Sequence, residues 1–114
     1  MKAVRRGEIW SVKLDPAVGH EQRGGRPALV VSDDLFNRSG ADLVIVVPIT
    51  TRRRSVRTHV EIRPPDGGLR ETSFVMCEHV RALSVGRLGP RPFGEASAQV
   101  LRAVESRLRL LLDL

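Results

Sequence analysis

The chain contains one cysteine, Cys77, no tyrosine, one tryptophan and only two lysines, Lys2 and Lys13. A single cysteine excludes an internal disulfide and favours a reducing compartment, expected to be the cytoplasm. No apolar run approaches the roughly 18 residues that cross a bilayer. Met1 to Arg6 carries charge with no apolar segment behind it, so neither a membrane anchor nor a signal peptide is expected. His20, His59 and His79 are scattered, with no His-x-x-x-His or Cys-x-x-Cys spacing, and no metal site or cofactor is expected. Asp33-Asp34 lies at a strand end and reads as a solvated turn in preference to a hard-cation site. There is no Gly-x-x-x-x-Gly-Lys phosphate loop and no Gly-x-Ser-x-Gly elbow. Nothing local lowers the pKa of Cys77, which reads as a buried, inert thiol.

What the chain does have is arginine. Of its 19 basic residues, all but the two lysines are arginine, and the net charge is +6 with a pI of about 11.2. Arginine is always charged and presents a planar fork to phosphate. The balance points to nucleic acid or another polyanion as partner. The 114 residues fit one domain, 1–114, with 41% hydrophobic content, enough for one modest core.

The chain is organised around residues 19–32, GHEQRGGRPALVVS, where a polar glycine-rich loop runs into an apolar strand. Ala28 to Val31 has no charge and is expected to be buried on both faces. Pro27, with no amide hydrogen, suits the first residue of that strand. Upstream, residues 7–14 alternate, with Trp10, Val12 and Leu14 on the face expected to meet the core and Ile9, Ser11 and Lys13 on the other. Leu43 to Ile49 reads as a second buried strand, and Pro48 suggests that its pairing stops there or that it lies at an edge. Residues 50–57 form a polar loop with four arginines. His59 to Arg63 reads as an exposed strand, residues 64–68 as a turn, and residues 73–77 and 79–83 as short strands, while 85–93 reads as irregular or bulged. From Glu95 the period changes. Leu101, Val104, Leu108 and Leu111 share a helical face, Glu105 and Arg109 are spaced as an i,i+4 pair, and Gly94 can cap the helix. The expected architecture is mainly β with a C-terminal helix, a small, partly closed antiparallel barrel.

The chemistry that stands out is phosphate handling. Arg26 begins one buried strand and Thr50 ends another. If the strands are neighbours, a guanidinium and a hydroxyl meet at one rim. Glu21 and Gln22 could cover them, and Arg52, Arg53 and Arg54 would extend a cationic track. Cleaving RNA with its own 2′-OH needs proton transfer and stabilisation of a phosphorane; arginine supplies the second and is a poor base. Each residue also has a plainer role, Arg26 as an ion-pair partner of Glu21 or Asp15, Thr50 as a β-branched strand end and the arginine triplet as a solvated loop.

The segments RGEIW (6–10), LDPAVGHEQRGGRPALVVSDD (14–34), VIVVPIT (44–50) and HVEI (59–62), with the apolar C-terminal helix, resemble the MazF/PemK family of bacterial toxins nearly end to end. The resemblance implies an SH3-like barrel that forms a homodimer and acts without metal as an endoribonuclease. It implies cutting of single-stranded RNA (mRNA) at short sequences, leaving a 2′,3′-cyclic phosphate and a 5′-OH, and inhibition by a small cognate antitoxin. The family's catalytic arginine, in G-x-R-P, falls on Arg26, its threonine, ending P-I-T, on Thr50, and the loop glutamate on Glu21. By resemblance, Arg26 takes part in proton transfer and stabilises the phosphorane, and Thr50 holds a phosphate oxygen; His20 and Glu21 are alternative proton acceptors. RNA contacts are expected from His20, Gln22, Arg23, Arg52, Arg53, Arg54, His79 and Arg81. Two departures bear on those contacts: Glu78-His79-Val80-Arg81 stands where members commonly have Glu-Gln-Ile-Arg, and the loop after Thr50 is unusually arginine-rich. Aromatics are only 4%, so arginine planes and hydrogen bonds must replace much of the usual base stacking. A gyrase-binding inhibitor of the CcdB type, similar in fold, would lack the paired G-x-R-P and P-I-T motifs, and a purely basic nucleic-acid-binding barrel would not depend on Thr50.

Overall fold

The structure, a computed structural model, describes residues 2–14 and 25–114. Among the described residues seven strands form one antiparallel sheet: β1 (Glu8–Val12), β2 (Arg26–Val30), β3 (Leu43–Thr50), β4 (His59–Ile62), β5 (Ser73–Met76), β6 (Arg81–Ser84) and β7 (Leu88–Glu95). A short helix α1 (Asp34–Asn37) follows β2, and the longer α2 (Ala98–Leu112) ends the chain. The strand order is β4-β5-β3-β2-β1-β7, with β6 also on β3. The end strands β4 and β7 are not paired with each other, so the barrel is partly open, as the alternating pattern and close turns led one to expect.

β3 holds the sheet together. One edge pairs with β2, Ala28 opposite Pro48 and Val30 opposite Val46. The other edge pairs first with β6, from Leu43 to Val46, and then with β5, at Ile49 and Thr50. Pro48 falls in the gap between those two partners, so its missing amide leaves no ladder bond unmade there. The sequence expectation that pairing stops at Pro48 is therefore corrected: β3 exchanges partners around it and runs on to Thr50.

Both faces of β1, β2 and β3 are buried. Ile9, Leu29, Val47 and Ile49 pack on one face with Val60, Ile62, Val75, Val100 and Val104. Trp10, Val12, Ala28, Val30, Val44 and Val46 pack on the other with Val4, Leu83 and Leu88. The alternation in β1 correctly groups Trp10 with Val12, but Ile9 is not solvent-facing: it is fully buried under the second layer made by β4, β5 and α2. Burying each such side chain contributes about 1.5–3 kcal/mol relative to exposure. β4 is likewise not wholly exposed, since Val60 and Ile62 turn inward and only its polar residues face out.

α2 starts later than the composition suggests. Ser97, not Gly94, is the N-cap, accepting from the Val100 amide at 3.2 Å. Gly94 belongs to β7, where the chain passes so close to the 66–68 turn that a Cβ would lie 2.9 Å from the Gly67 carbonyl oxygen. Glu105 is held by Arg6 at 2.7 Å rather than by Arg109. Val104 is fully buried, while Leu111 at the end of the expected apolar face is 41% exposed. Among the described residues no helix is long and apolar enough to cross a membrane.

Candidate functional site

The rim where β2 begins and β3 ends opens into a cleft of about 990 Å³ lined by residues from five parts of the chain. Continuing the β2–β3 register from Ala28 and Pro48 by two residues sets Arg26 opposite Thr50, and both side chains line this cleft. Arg26 is exposed and Thr50 half-buried, as suits groups that must touch a ligand. The expectation that a guanidinium and a hydroxyl from two strand tips share one site therefore holds in the geometry.

Local packing fixes those tips. Gly25, immediately before Arg26, presses against β1: a Cβ there would sit 2.9 Å from both the nitrogen and the oxygen of Val12. Only glycine fits that approach. At the other end of the same loop, the Leu14 carbonyl accepts from Arg81 at 3.3 Å and from Arg87 at 3.1 Å. The Thr50 hydroxyl accepts from the Arg52 amide at 3.1 Å, an ST-type turn that bends the chain as it leaves β3.

Arg52, Arg54, His79 and Arg81 line the same cleft, joining the residues read from the sequence as RNA contacts. Arg53 does not. Its guanidinium lies 4.8 Å over the Phe74 ring and 3.4 Å from Glu61, away from the cleft lining. His20, Glu21, Gln22 and Arg23 fall outside the described residues.

Two carboxylates that were not among the expected contacts also line the cleft, Glu71 and Glu78, the second known from the sequence only as the start of the 78–81 segment. Glu78, on the 77–79 turn after β5, lines the cleft with both carboxylate oxygens engaged. Oε1 accepts from the Thr58 hydroxyl at 2.5 Å, and Oε2 lies 2.7 Å from His59 Nε2 and 3.6 Å from His79 Nε2. An ionised carboxylate only accepts, so the proton of the Glu78–His59 bond resides on Nε2. The His59 side chain is only 4% exposed, and its Nδ1 is buried with no hydrogen-bond partner among the described residues. Burial, the largest single influence, pushes the Glu78 carboxyl upward. Hydrogen bonds from Thr58, from its own backbone amide and from His59 together outweigh burial and hold it below the ordinary carboxylate value. The signal in the sequence was the place of Glu78 at the head of the 78–81 segment; its approach to His59, through a β4–β5 register in which His59 faces Met76, is a tertiary fact. The neighbouring Cys77 thiol is fully buried and pushed up to about 11, chiefly by burial and then by the Glu78 charge, which agrees with its reading as inert.

A cationic cleft with a hydroxyl and a fixed carboxylate can bind a phosphodiester and stabilise charge developing on it. Comparison with known proteins points the same way. The model of the PemK-like, MazF-like toxin of type II toxin–antitoxin systems matches residues 5–112. The chain is 40% identical over 116 residues to endoribonuclease MazF9 of Mycobacterium tuberculosis, covering 97% of this chain and 98% of that one. It is 37% identical over 110 residues to endoribonuclease PemK of Escherichia coli, covering 96% and 82%. Among solved structures, the MazE–MazF crystal structure (Form-II) from Deinococcus radiodurans superposes with a TM-score of 0.82 at 30% identity, covering 100% of this chain and 99% of that one.

Proposed function

The chain belongs to the PemK-like, MazF-like toxin family of type II toxin–antitoxin systems, and from that premise we propose that it is an endoribonuclease whose cleft cuts single-stranded RNA, with Arg26 and Thr50 as its catalytic residues. The observation that carries the reading is that these two side chains, 24 positions apart in sequence (50 less 26), line one cleft.

In the proposed reaction the 2′-oxygen of one nucleotide forms a bond to the adjacent phosphorus while the bond from phosphorus to the 5′-oxygen breaks. The 2′-hydroxyl loses its proton to a base and the departing 5′-oxygen takes one from water, leaving a 2′,3′-cyclic phosphate and a 5′-OH. Arg26 stabilises the charge that builds on the non-bridging oxygens, and the Thr50 hydroxyl donates to one of them and fixes its position. Arginine scarcely deprotonates, so the proton acceptor is assigned to Glu21 or His20 of the preceding loop, with Gln22 and Arg23 beside them. Arg52, Arg54, His79 and Arg81 guide the flanking RNA.

The same reading makes the protein a cytoplasmic single-domain toxin, 1–114, working as a homodimer without metal or cofactor. A small cognate antitoxin would lay an acidic segment along the cleft. Its support is the charge of the cleft and the family, one of whose members is known in a MazE–MazF structure. The test is digestion of a defined RNA pool in EDTA, with sequencing of the fragment ends. Cyclic-phosphate ends at a short recurring sequence are expected from the wild type. No cleavage, or equal cleavage by folded Thr50→Ala, would overturn the assignment.

A further inference from the structure

An anion in an arginine-lined cleft works against binding a polyanion, because it repels the phosphates that the cations attract. Glu78 is such an anion, and it is held in place. The turn that carries it is tied to the loop before β4 by the Cys77 amide, which donates to the Thr58 carbonyl at 3.2 Å. Thr58 and His59 then grip one carboxylate oxygen each. His59 cannot swing away, since its ring is packed inside the protein. The carboxylate itself remains one-third exposed to the cleft. Thr58 and His59 each engage one oxygen and the Glu78 backbone amide is a third donor, so the acceptor capacity left at the exposed edge is small and fixed in orientation.

Two uses fit a fixed carboxylate in an RNA cleft, taking a proton or accepting a hydrogen bond from a base. The donors already on Glu78 favour its charged form and so make it a poor proton acceptor. They do not weaken it as a directional acceptor. A sugar–phosphate backbone turns its charges toward the arginines that line the cleft and is repelled by a carboxylate, which leaves the bases as the groups that can meet Glu78. Single-stranded RNA offers there the Watson–Crick edge of an unstacked base.

We propose that Glu78 is a specificity-determining residue whose fixed carboxylate reads one RNA base by its donor edge, favouring guanine over uracil. Guanine N1–H and N2–H2 present two adjacent donors to the exposed edge of the carboxylate. Uracil presents one N–H flanked by two carbonyl oxygens, which the carboxylate repels. Adenine and cytosine, with one amino group beside a ring acceptor, fall between. The assignment rests on the reading of this cleft as an RNA site.

The test uses a library of 2′-O-methyl RNA pentamers, which cannot be cut because the attacking oxygen is capped. The library is affinity-selected on wild-type protein, on Glu78→Gln and on Thr58→Val, with thermal melts on each. The wild type is expected to enrich guanine over uracil at one position. Glu78→Gln should lower that ratio roughly 5- to 150-fold while overall affinity holds or rises, and Thr58→Val should lower it less. Identical selection profiles for wild type and Glu78→Gln, uniform loss of affinity at every position, or no guanine preference in the wild type would each overturn the proposal. If Glu78→Gln does not fold, Thr58→Val decides it by the same criteria. Parallel digestion of unmodified RNA keeps the two claims apart. Uncut RNA defeats the nuclease reading, whereas the library ranking judges Glu78 alone. Wild-type selection by Glu78→Gln together with abolished cleavage at all sequences would make Glu78 a proton-transfer group instead, which also overturns base reading.

Discussion

Glu61 and Glu78 lie on adjacent pieces of the same β4–β5 hairpin, with side chains 29% and 33% exposed, and both carboxyls are held below the ordinary value. They differ in what holds them. Glu61 is held first by its hydrogen bond to Arg63 and also by Arg53, so its charge is cancelled by cations on the outer face of β4. Glu78 is held by a hydroxyl and an imidazole, and its charge is left facing the cleft. An arginine matched to a carboxylate and an aromatic ring, as Arg53 is, has little left to offer a polyanion. Sequence proximity to Thr50 therefore does not decide which arginines line the cleft: Arg52 and Arg54 do and Arg53 does not.

The sharpest way to break the comparison is by activity. Arg26→Ala and Thr50→Ala are each expected to lower RNA cleavage at least about 100-fold, the scale of losing one donor to a developing oxyanion, while Arg53→Ala leaves it within about threefold. Single-turnover rates on one short RNA check this, and an Arg53→Ala loss as large as that of Arg26→Ala would erase the distinction. Ionic strength gives a second cut. The slope of log affinity against log salt is expected to fall by about 1 unit for Arg52→Ala or Arg54→Ala, and by clearly less for Arg53→Ala.

The two glutamates can also be separated by acid. A carboxyl whose folded pKa is depressed adds stability above its ordinary unfolded value, near 4.3, and loses it as pH falls through the lower folded value. Both Glu61→Gln and Glu78→Gln should therefore flatten the loss of stability below about pH 5. Raising salt to about 0.5 M should erase the Glu61 effect, an exposed ion pair, and reduce that of Glu78 less, because the His59 ring is buried and the Thr58 hydroxyl carries no charge. Melting temperatures across pH at two salt concentrations check it. The smallest expected effect is on Cys77: its thiol, pushed up to about 11, should resist alkylation at about pH 8 in the folded protein and react once the protein is denatured.

The sequence was most informative where one pattern had one explanation. The uncharged run from Ala28 to Val31 and the Leu43–Ile49 strand announced burial on both faces, and Arg26 and Thr50 could be placed at strand ends from their neighbours alone. It was less informative where tertiary pairing intervened. Ile9 looks solvent-facing because alternation reports two faces but not how many are covered. Pro48 looks like a stop because nothing local reveals that β3 changes partners there. Gly94 resembles a cap until the turn at 66–68 is seen pressing against it. Glu78 was legible only as the head of the 78–81 segment, and the partners that fix it, Thr58 and His59, arrive across a strand pair.

The double-sided burial of the three central strands has a further consequence. A buried residue along their length that changes size disturbs one hydrophobic layer or the other, since Leu29 and Ala28 point to opposite layers with no exposure at all. Changes of side-chain size are then absorbed most easily in the segments that project past the strand termini, such as 51–57 and 77–80. A family built on this plan can diversify its targets by rewriting its borders while the interior stays still.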